Sequence, residues 1–419
     1  MKLRLVHVEE QTIETAVLSD GRLLEYRREA SSGGQTAGNI YKGKVVNVLP
    51  GMQAAFVDIG QGKNAFLYID EVLHPNLERQ PRDKPSIAGL LRAGQELPVQ
   101  VVKEPLGGKG ARVTTHYSLP GRFLVYMPHA DYVGVSKKIG TEAERTRLRQ
   151  AGEEIRQARE GIILRTAAEG ESLRSLGKDA AYLRELWQSI AEKAERACAP
   201  SELHREAGLM QRIVRDMLDV ETDRIWIDDE RALAEARAMM KETAPAMESK
   251  LSLYSPAGRQ PLFEAYAVHA QLEKAFARRI RLASGADLAW DQTEALTVID
   301  VNTGRYTGST GLEETVFHTN MEAAEEIARL LRLRDAGGIV IVDFIDMAEA
   351  AHRDRVMERL EQLVRKDRTK CHVVGWTKLG LLELTRKKVR EDAAGRLYEP
   401  CAACRGSGRI YVGMPPAGR

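Results

Sequence analysis

The spacing of apolar and polar positions changes along the chain and predicts an α/β protein with several domains. The first 30 residues alternate and predict two or three short strands, and a loop of small polar residues follows at 31–39. Between Ile40 and Leu119 five strand-like segments are separated by turns that contain Gly or Pro. Because five short strands with such turns are typical of a small closed barrel, we predict an OB-type barrel in this part of the chain.

The pattern is mixed between 120 and 280. The segments RFLVYMP and GIILRTAAEG predict strands, whereas 141–160 and 174–197 predict helices. From 201 to 242 the pattern predicts a helix, a short strand in RIWIDD and a second helix. One long helix is predicted from Leu262 to Ile280. No internal repeat interrupts this succession.

A strand–helix–strand unit is predicted next. The segment EALTVIDVNTGR, 294–305, predicts a buried strand that runs into Asp300 and Asn302. Residues 312–335 have apolar positions at helical spacing, and Gly337 and Gly338 end that pattern. A second apolar strand is predicted in IVIVDFIDM, 339–347. Since such crossovers almost always join parallel strands, the two strands are predicted to run in the same direction.

This geometry would place Asp300 and Asp343 side by side at the carboxyl ends of the strands. Neighbouring strands are about 4.8 Å apart, so the two carboxylates would repel each other unless a cation lies between them. Oxygen ligands suit Mg²⁺, and Asn302 would orient Asp300 or the substrate. The alternative is that either aspartate alone caps a turn, but the matched pair favours a metal site. Asp346 would either support this site or cap a helix.

Cys401 and Cys404 have the spacing of half a zinc site. Tetrahedral zinc takes four ligands and the chain has no second CxxC, so the same pair from another chain would complete the site and form a dimer. A redox pair or two unligated thiols are the alternatives. Cys198 and Cys371 stand alone and are predicted to be plain buried or free thiols.

Composition and charge narrow the class of protein. The chain has 419 residues, enough for two or three domains, and a formal net charge of only +2. Positive charge is local, because 351–390 carry twelve Lys and Arg against five Asp and Glu. The sequence has no apolar run of about 20 residues, and its N-terminus does not have the pattern of a signal peptide. Four Cys do not make a disulfide framework, so we expect a cytoplasmic protein.

Two segments have the composition of nucleic-acid-binding surfaces. Phe56 and Phe66, with lysines nearby, could stack bases of a single strand, although aromatic residues at alternating positions are more often core residues. The segment LTRKKVRED, 384–392, could contact phosphates, although a solvated helix face is the simpler interpretation.

Four segments together resemble the ribonuclease E/G family, and they occur in the family's order from Met1 to about Val412. Within the family the chain is more similar to the ribonuclease G members than to the ribonuclease E members, and it is expected to lack the small C-terminal domain that many relatives have. The segments are GNIYKGKVVNVLPGMQAAFVDIG, QTEALTVIDVNTGR, EEIARLLRLRDAGGIVIVDFIDM and CAACRGSGR.

The resemblance implies an α/β multidomain architecture. It comprises an RNase H-like subdomain (1–34 and 212–275) interrupted by an OB-fold RNA-binding domain (35–117) and a 5′-sensor domain (118–211), then a DNase I-like catalytic domain (276–397), a zinc-link (398–412) and a tail (413–419). Because many relatives use the small C-terminal domain to form tetramers, a homodimer is expected here.

The resemblance also implies an Mg²⁺-dependent endoribonuclease that cleaves single-stranded RNA with a metal-activated water and leaves 5′-phosphate and 3′-hydroxyl ends. Its expected roles are rRNA and tRNA processing and mRNA decay. The implied site residues are Asp300, Asn302 and Asp343 for catalysis, with Mg²⁺ on the two aspartates; Phe56, Phe66 and Lys109 for RNA; Gly121, Val125, Lys137, Arg165 and Thr166 for a 5′-monophosphate; and Cys401 and Cys404 for a Zn²⁺ shared between chains. Lys137 replaces a family arginine and lacks its bidentate fork, so a weaker preference for 5′-monophosphorylated RNA is expected.

Two other functions are compatible with parts of the sequence. One is a non-catalytic OB-fold RNA-binding regulator associated with ribosomes. The other is a metal phosphoesterase that acts on small substrates. The first has no need for paired carboxylates at strand ends, and the second has no need for the barrel. The endoribonuclease therefore accounts for more of the chain.

Overall fold

The computed structural model describes residues 1–10, 12–30, 36–76, 80, 83–105, 109–217, 222–243, 245–255, 260–293, 296–304, 311–388, 393–399, 401–404 and 408. The chain forms two compact units, Met1–Thr15 with Arg27–Leu262 and Ala16–Tyr26 with Phe263–Arg419. Both units contain helices and strands, which confirms the α/β class. The predicted domain boundaries stay predictions, and the tail at 413–419 lies outside the described residues.

The described strands are β1 (Lys2–Val8), β2 (Thr12–Ser19), β3 (Arg22–Ala30), β4 (Ile40–Leu49), β5 (Ala54–Asp58), β6 (Ala65–Tyr68), β7 (Glu96–Lys103), β8 (Arg112–Thr114), β9 (Leu119–Pro120), β10 (Leu124–Met127), β11 (Val133–Val135), β12 (Gly161–Leu164), β13 (Ser201–His204), β14 (Arg224–Ile227), β15 (Leu251–Leu253), β16 (Arg279–Arg281), β17 (Asp287–Gln292), β18 (Leu296–Asn302), β19 (Gly338–Asp343), β20 (Cys371–Trp376) and β21 (Leu382–Arg386). The described α-helices are α1 (Ile87–Leu90), α2 (Glu142–Ile155), α3 (Leu173–Arg196), α4 (Leu209–Arg212), α5 (Glu230–Thr243), α6 (Leu262–Ala265), α7 (Val268–Phe276), α8 (Leu312–Leu333), α9 (Ala350–Val364) and α10 (Ala393–Leu397). Among the described residues, no helix is both long and apolar enough to cross a bilayer.

The first unit contains the predicted five-stranded barrel. Its strands are paired in the order β4-β5-β6-β8-β7, and an additional β4–β7 pairing closes the sheet. Apolar side chains at alternate positions fill the interior, for example Val57, Leu67 and Val113, each 0% exposed. The predicted closed five-stranded barrel is confirmed, and it is consistent with an OB-fold. The strand β13, which the sequence pattern did not predict, pairs with β4 and places His204 opposite Ile40.

A four-stranded sheet, β11-β12-β10-β9, follows the barrel in the chain. The helices α2 and α3 pack with it around one apolar cluster that includes Leu124, Leu148, Leu164 and Leu176. The α3 N-terminus is capped by Ser172, whose hydroxyl accepts the N–H of Ser175. The strands and helices predicted between 122 and 197 are therefore confirmed; β10, β12 and α2 are shorter than predicted, and α3 begins one residue earlier.

A five-stranded sheet, β15-β14-β1-β2-β3, joins the N-terminal strands to strands more than 200 residues later. The pairs β1–β14 and β14–β15 are parallel. Apolar residues of α5, including Leu233 and Met240, pack with Ile225 and Ile227 of β14. Residues 16–26, around the turn between β2 and β3, belong to the second unit.

The second unit contains a six-stranded sheet of order β16-β17-β18-β19-β21-β20. The β18–β19 pair is parallel, and its neighbouring pairs are antiparallel. Along β18, Thr297, Ile299 and Val301 are buried, whereas Val298, Asp300 and Asn302 are exposed. The prediction of a fully buried strand is therefore wrong, because only one face of β18 is covered.

Three predicted elements differ from the structure in their bounds or in their type of secondary structure. The long helix from Leu262 is broken at Ala267, whose φ of 50° is left-handed, and its last residues form β16. The second apolar strand ends at Asp343 instead of 347. The helix considered for 384–392 is wrong for its first residues, because β21 extends to Arg386; residues 389–392 lie outside the described residues.

Candidate active site

Asp300 and Asp343 lie directly opposite each other on the parallel strands β18 and β19. This register confirms the predicted strand–helix–strand geometry, in which α8 connects the two strands. Both side chains are on the exposed side of the sheet, at the carboxyl ends of the strands. The desolvation cost of a buried Asp300 therefore does not arise, and the repulsion between the two carboxylates is the main electrostatic feature.

Asp343 is next to other negative charges. Burial raises the pKa of Asp343 above its usual value, and the negative charges of Asp300 and Asp346 raise it further. Asn302 donates its side-chain N–H to Oδ2 of Asp300 at 2.8 Å. The carboxamide thus orients Asp300 without neutralising it, as expected of a group that prepares a carboxylate for a cation.

Asp346 lies in the segment between β19 and α9. The residue at the N-cap position of α9 is Glu349, so the prediction that Asp346 caps a helix is wrong for α9. Its charge instead acts on Asp343. Asp346 is therefore an outer member of the same acidic cluster.

The helix α8 fixes the segment that follows Asp343. Asn320, 0% exposed, donates Nδ2–H to the carbonyl of Ile345 at 2.8 Å and accepts the N–H of Ile345 at 3.1 Å. Near the start of α8, Glu313 accepts the N–H groups of Ala348 and Glu349, and these bonds lower the pKa of the Glu313 carboxyl. Neither residue was predicted from the sequence. Asn320 could have been found, because it is an amide on the apolar face of a predicted helix.

The chain after Asn302 also approaches other backbone closely. Gly304 has a φ of 58°, and a Cβ on it would lie 2.6 Å from the carbonyl oxygen of Gly285. Any larger residue would have to move the backbone there. This close approach fixes where β18 ends relative to β17 in the same sheet.

The two aspartates fit Mg²⁺ better than a metal that needs several protein ligands. Within the described part of the chain, no group of three or more His, Cys, Asp or Glu residues is arranged to hold a metal ion. Mg²⁺ usually takes only one or two carboxylates and keeps several waters. The exposed pair supplies two carboxylates, the number of protein ligands that Mg²⁺ usually takes.

Comparison with known proteins identifies the family. A model of the Ribonuclease E/G family matches residues 118–389. Ribonuclease G of Escherichia coli strain K12 is 44% identical over 97% of this chain and 84% of its own length. Ribonuclease G of Haemophilus influenzae is 43% identical over 97% of this chain and 83% of its own length. Ribonuclease E of Escherichia coli strain K12 is 38% identical over 98% of this chain and 39% of its own length.

The chain belongs to the ribonuclease E/G family. Membership confirms the predicted class of enzyme, an endoribonuclease. The identities also agree with the predicted placement, because they are higher for the ribonuclease G relatives than for ribonuclease E. Those ribonuclease G relatives are longer than the stretch that aligns with this chain.

The barrel of this ribonuclease carries Phe56 and Phe66 on its outer surface. They are opposite each other on β5 and β6, with ring centroids 5.9 Å apart and an interplanar angle of 70°. Both are half-buried, so the alternative that they are core residues is wrong. Arg112 lies opposite Phe66 on the next strand, and Lys109 is exposed shortly before it. The two rings and Arg112, which is ion-paired with Glu71 at 2.9 Å, therefore share one face of the barrel.

The structure brings some of the predicted 5′-sensor residues into contact. Arg165 donates to the carbonyl of Gly121 and to Oδ1 of Asp216, the latter at 2.6 Å. Thr166 bonds Ser136 at 3.1 Å, next to the exposed Lys137. Val125 is half-buried on β10, opposite Ile163 of β12. The guanidinium of Arg165 is thus already shared with one carboxylate.

Asp216 is the carboxylate that would compete with a bound anion for the guanidinium of Arg165. Burial would raise the pKa of Asp216, but Arg215 and Arg165 together lower it. Asp216 is therefore ionised at neutral pH. A phosphate that binds Arg165 must share the guanidinium with this carboxylate or displace it.

The four cysteines are free in the structure. Cys198 is exposed and Cys371 half-buried, as predicted for isolated thiols. Backbone N–H groups of Cys404 and Ala403 lower the pKa of the Cys401 thiol, and so does the Cys404 side chain. These contacts favour a thiolate, the form that binds zinc. Of the predicted zinc-link, 398–412, residues 400, 405–407 and 409–412 lie outside the described residues.

Proposed function

We propose that this chain is an Mg²⁺-dependent endoribonuclease that hydrolyses single-stranded RNA in rRNA and tRNA processing and in mRNA decay. The observation that carries the proposal is the in-register pair Asp300 and Asp343 at the carboxyl ends of two parallel strands. Such a pair in a member of a ribonuclease family is best explained as the holder of the catalytic cation. A cytoplasmic location is part of the proposal.

In this mechanism Asp300 and Asp343 would hold the metal, and Asn302, which donates a hydrogen bond to Asp300, would keep that carboxylate oriented. Mg²⁺, when bound, supplies positive charge to the phosphate and makes a water more acidic. The water oxygen bonds to phosphorus as the bond to the 3′ oxygen breaks, and the departing 3′ oxygen receives a proton. The phosphate therefore stays on the 5′ end of the downstream product. Asn320 and Glu313 act as positioning residues, because they hold the segment that follows Asp343.

The chemistry of the product ends tests the proposal. We expect Mg²⁺-dependent cleavage of a short single-stranded RNA, with 5′-phosphate and 3′-hydroxyl ends identified by mass spectrometry. Attack by water gives these ends when the 3′ oxygen is the leaving group, as the mechanism requires. Products with 2′,3′-cyclic phosphate would show attack by the RNA's own 2′-hydroxyl and would refute the mechanism. A binding protein without activity would give no products in Mg²⁺.

We propose that the outer face of the barrel binds the RNA through Phe56, Phe66 and Lys109. The supporting observation is that the two rings are half-buried instead of enclosed in the barrel core. Stacking of a base on one aromatic ring contributes about 1–3 kcal/mol. Because every base has a stacking face, this contact would be insensitive to sequence.

Phe66→Ala is expected to raise KM for a short RNA about tenfold and to change kcat much less, because the lost stacking is about 1–3 kcal/mol and is the same before and during cleavage. Steady-state kinetics on a fluorescent RNA measures this. Met52→Ala is a matched control, since Met52 is a 58% exposed apolar residue next to the same barrel strands. An unchanged KM in Phe66→Ala would contradict the role of Phe66.

A 5′-monophosphate pocket at Gly121, Val125, Lys137, Arg165 and Thr166 is also proposed. Its support is the contact between Arg165 and Gly121 and the exposed position of Lys137 near Thr166. A lysine gives one point charge where an arginine would give a bidentate fork. The pocket would therefore bind a 5′-phosphate with limited selectivity.

Lys137→Arg is expected to increase the preference for 5′-monophosphorylated over 5′-hydroxyl RNA severalfold, since charge-assisted bidentate bonds are stronger than single ones. The ratio of kcat/KM for the two RNAs measures the preference. Lys138→Arg, at the exposed neighbouring position, is the control. Equal ratios in wild type and Lys137→Arg would argue that Lys137 does not reach the 5′ end.

We further propose a homodimer in which Cys401 and Cys404 of two chains share one Zn²⁺. The support is the lowered pKa of Cys401 and the absence of a disulfide between the two described cysteines. Four thiolates from two chains complete the tetrahedral set that zinc prefers.

A further inference from the structure

We propose that a cavity at the end of β19 binds one nucleotide of the RNA beside the cleaved bond, with the indole of Trp376 as the surface for the base and Arg353 and Lys378 as partners for phosphate. The proposal rests on the proposed endoribonuclease function and adds a substrate subsite to it. The cavity has a volume of about 280 Å³ and lies entirely in the second unit.

The cavity adjoins the aspartate pair. Its lining begins with Phe344, the residue after Asp343, and includes Asp346. Asp346 is close enough to Asp343 for its charge to act on that carboxyl. A nucleotide in the cavity would therefore be the neighbour of a phosphate held at Asp300 and Asp343.

The aromatic part of the cavity has one accessible ring. Phe344 is 4% exposed, whereas Trp376 is only half-buried, and the two ring centroids are 5.8 Å apart. The partly exposed indole of Trp376 therefore supplies the accessible aromatic surface of the cavity.

The charged part of the cavity is suited to phosphate. Arg353 donates Nη1–H to the carbonyl of Met347 at 2.7 Å, and neither Arg353 nor Lys378 has a carboxylate partner in the described part of the chain. Other arginines of this unit are ion-paired, for example Arg329 with Glu326. Two cations without carboxylate partners beside an aromatic ring are typical of sites that bind single-stranded nucleic acid.

The turn that carries Lys378 is held in place. The hydroxyl of Thr377 accepts the N–H groups of Leu379 at 3.2 Å and Leu381 at 3.1 Å. The backbone between β20 and β21 is therefore fixed before RNA arrives, which lowers the entropic cost of binding. The size also fits, because about 280 Å³ is near the lower end of ligand pockets and admits one nucleotide.

The test uses short RNAs in which a single nucleotide lacks its base, placed in turn at each position around the cleaved bond. For wild type, one position is expected to raise KM about tenfold, since stacking of one base is lost. In Trp376→Leu this penalty should disappear, while penalties at other positions remain. Trp376→Phe keeps a ring and should retain most of it. Identical penalties in wild type and Trp376→Leu would overturn the proposal.

Two controls separate the subsite from folding and from the proposed function. Lys378→Ala changes an exposed side chain and should raise KM severalfold, whereas Lys366→Ala, also exposed but outside the cavity, should not. Thermal melting checks that Trp376→Leu is folded. Binding of the same RNAs by Asp343→Asn, followed by fluorescence anisotropy, reports on the cavity without cleavage. Cleavage of intact RNA without any Trp376-dependent base penalty would reject the subsite alone; no cleavage of any RNA would reject the proposed function.

Discussion

Asp343→Asn is expected to reduce RNA cleavage by about a thousandfold while the protein stays folded. A bound metal ion stabilises the transition state by several kcal/mol. Each tenfold change in rate corresponds to about 1.4 kcal/mol of activation free energy. Asparagine keeps the shape of the side chain but removes one of the two charges that would hold the cation. Because Asp343 faces Asp300 across two parallel strands, the substitution also removes a repulsion. The metal-free variant should therefore be at least as stable as wild type.

The measurement is the initial rate of cleavage of a fluorescent single-stranded RNA over a range of Mg²⁺ concentrations, together with a melting curve in EDTA. Asp354→Asn is a matched control, since Asp354 is an exposed aspartate of α9 in the same unit. It should cleave like wild type. A rate of Asp343→Asn within tenfold of wild type would mean that the two aspartates do not form the metal site. Loss of activity combined with unchanged or raised stability is what distinguishes a functional residue from a structural one.

The double variant Cys401→Ser, Cys404→Ser is expected to lose bound zinc and to convert the dimer to monomers. Serine hydroxyls do not replace thiolates as zinc ligands, and structural zinc contributes a large part of the energy of the assembly that it joins. Since each chain would supply two of the four ligands, wild type should contain about one zinc per two chains. The expected change is large because one ion joins the two protomers.

Light scattering coupled to size-exclusion chromatography gives the mass, and elemental analysis gives the zinc content. Cys198→Ser is the control, because Cys198 is an exposed thiol distant in sequence from the CxxC pair. That variant should stay a zinc-containing dimer. One zinc per chain in wild type, or a dimer in the double variant, would refute the shared site.

Elements with strong local patterns were predictable from the sequence. The barrel strands, α8 and the parallel β18–β19 pair follow from apolar periodicity and from the rule that crossovers join parallel strands. Because that rule relates two strand ends, it was enough to bring Asp300 and Asp343 together. The chemistry of the pair then followed from charge.

Contacts between distant segments were not predictable in this way. The pairing of β1 with β14 and that of β13 with β4 join strands more than 150 residues apart, and short strands leave little periodic signal. The open face of β18 was missed because alternation is hidden when both faces carry β-branched or apolar residues up to Ile299. The hydrogen bonds of Asn320 depend on how α8 packs against the segment after β19. A local sequence pattern does not predict that packing.

The pairing of β13 with β4 has a consequence for which part of the first unit unfolds cooperatively. His204 lies opposite Ile40, so the long segment that contains the barrel and the α2–α3 sheet begins and ends at one place. A segment closed on itself by a strand pair can unfold and refold without threading through the rest of the chain. Native-state hydrogen exchange should therefore record the amides of β4 to β13 as one cooperative unit, with an opening free energy of its own.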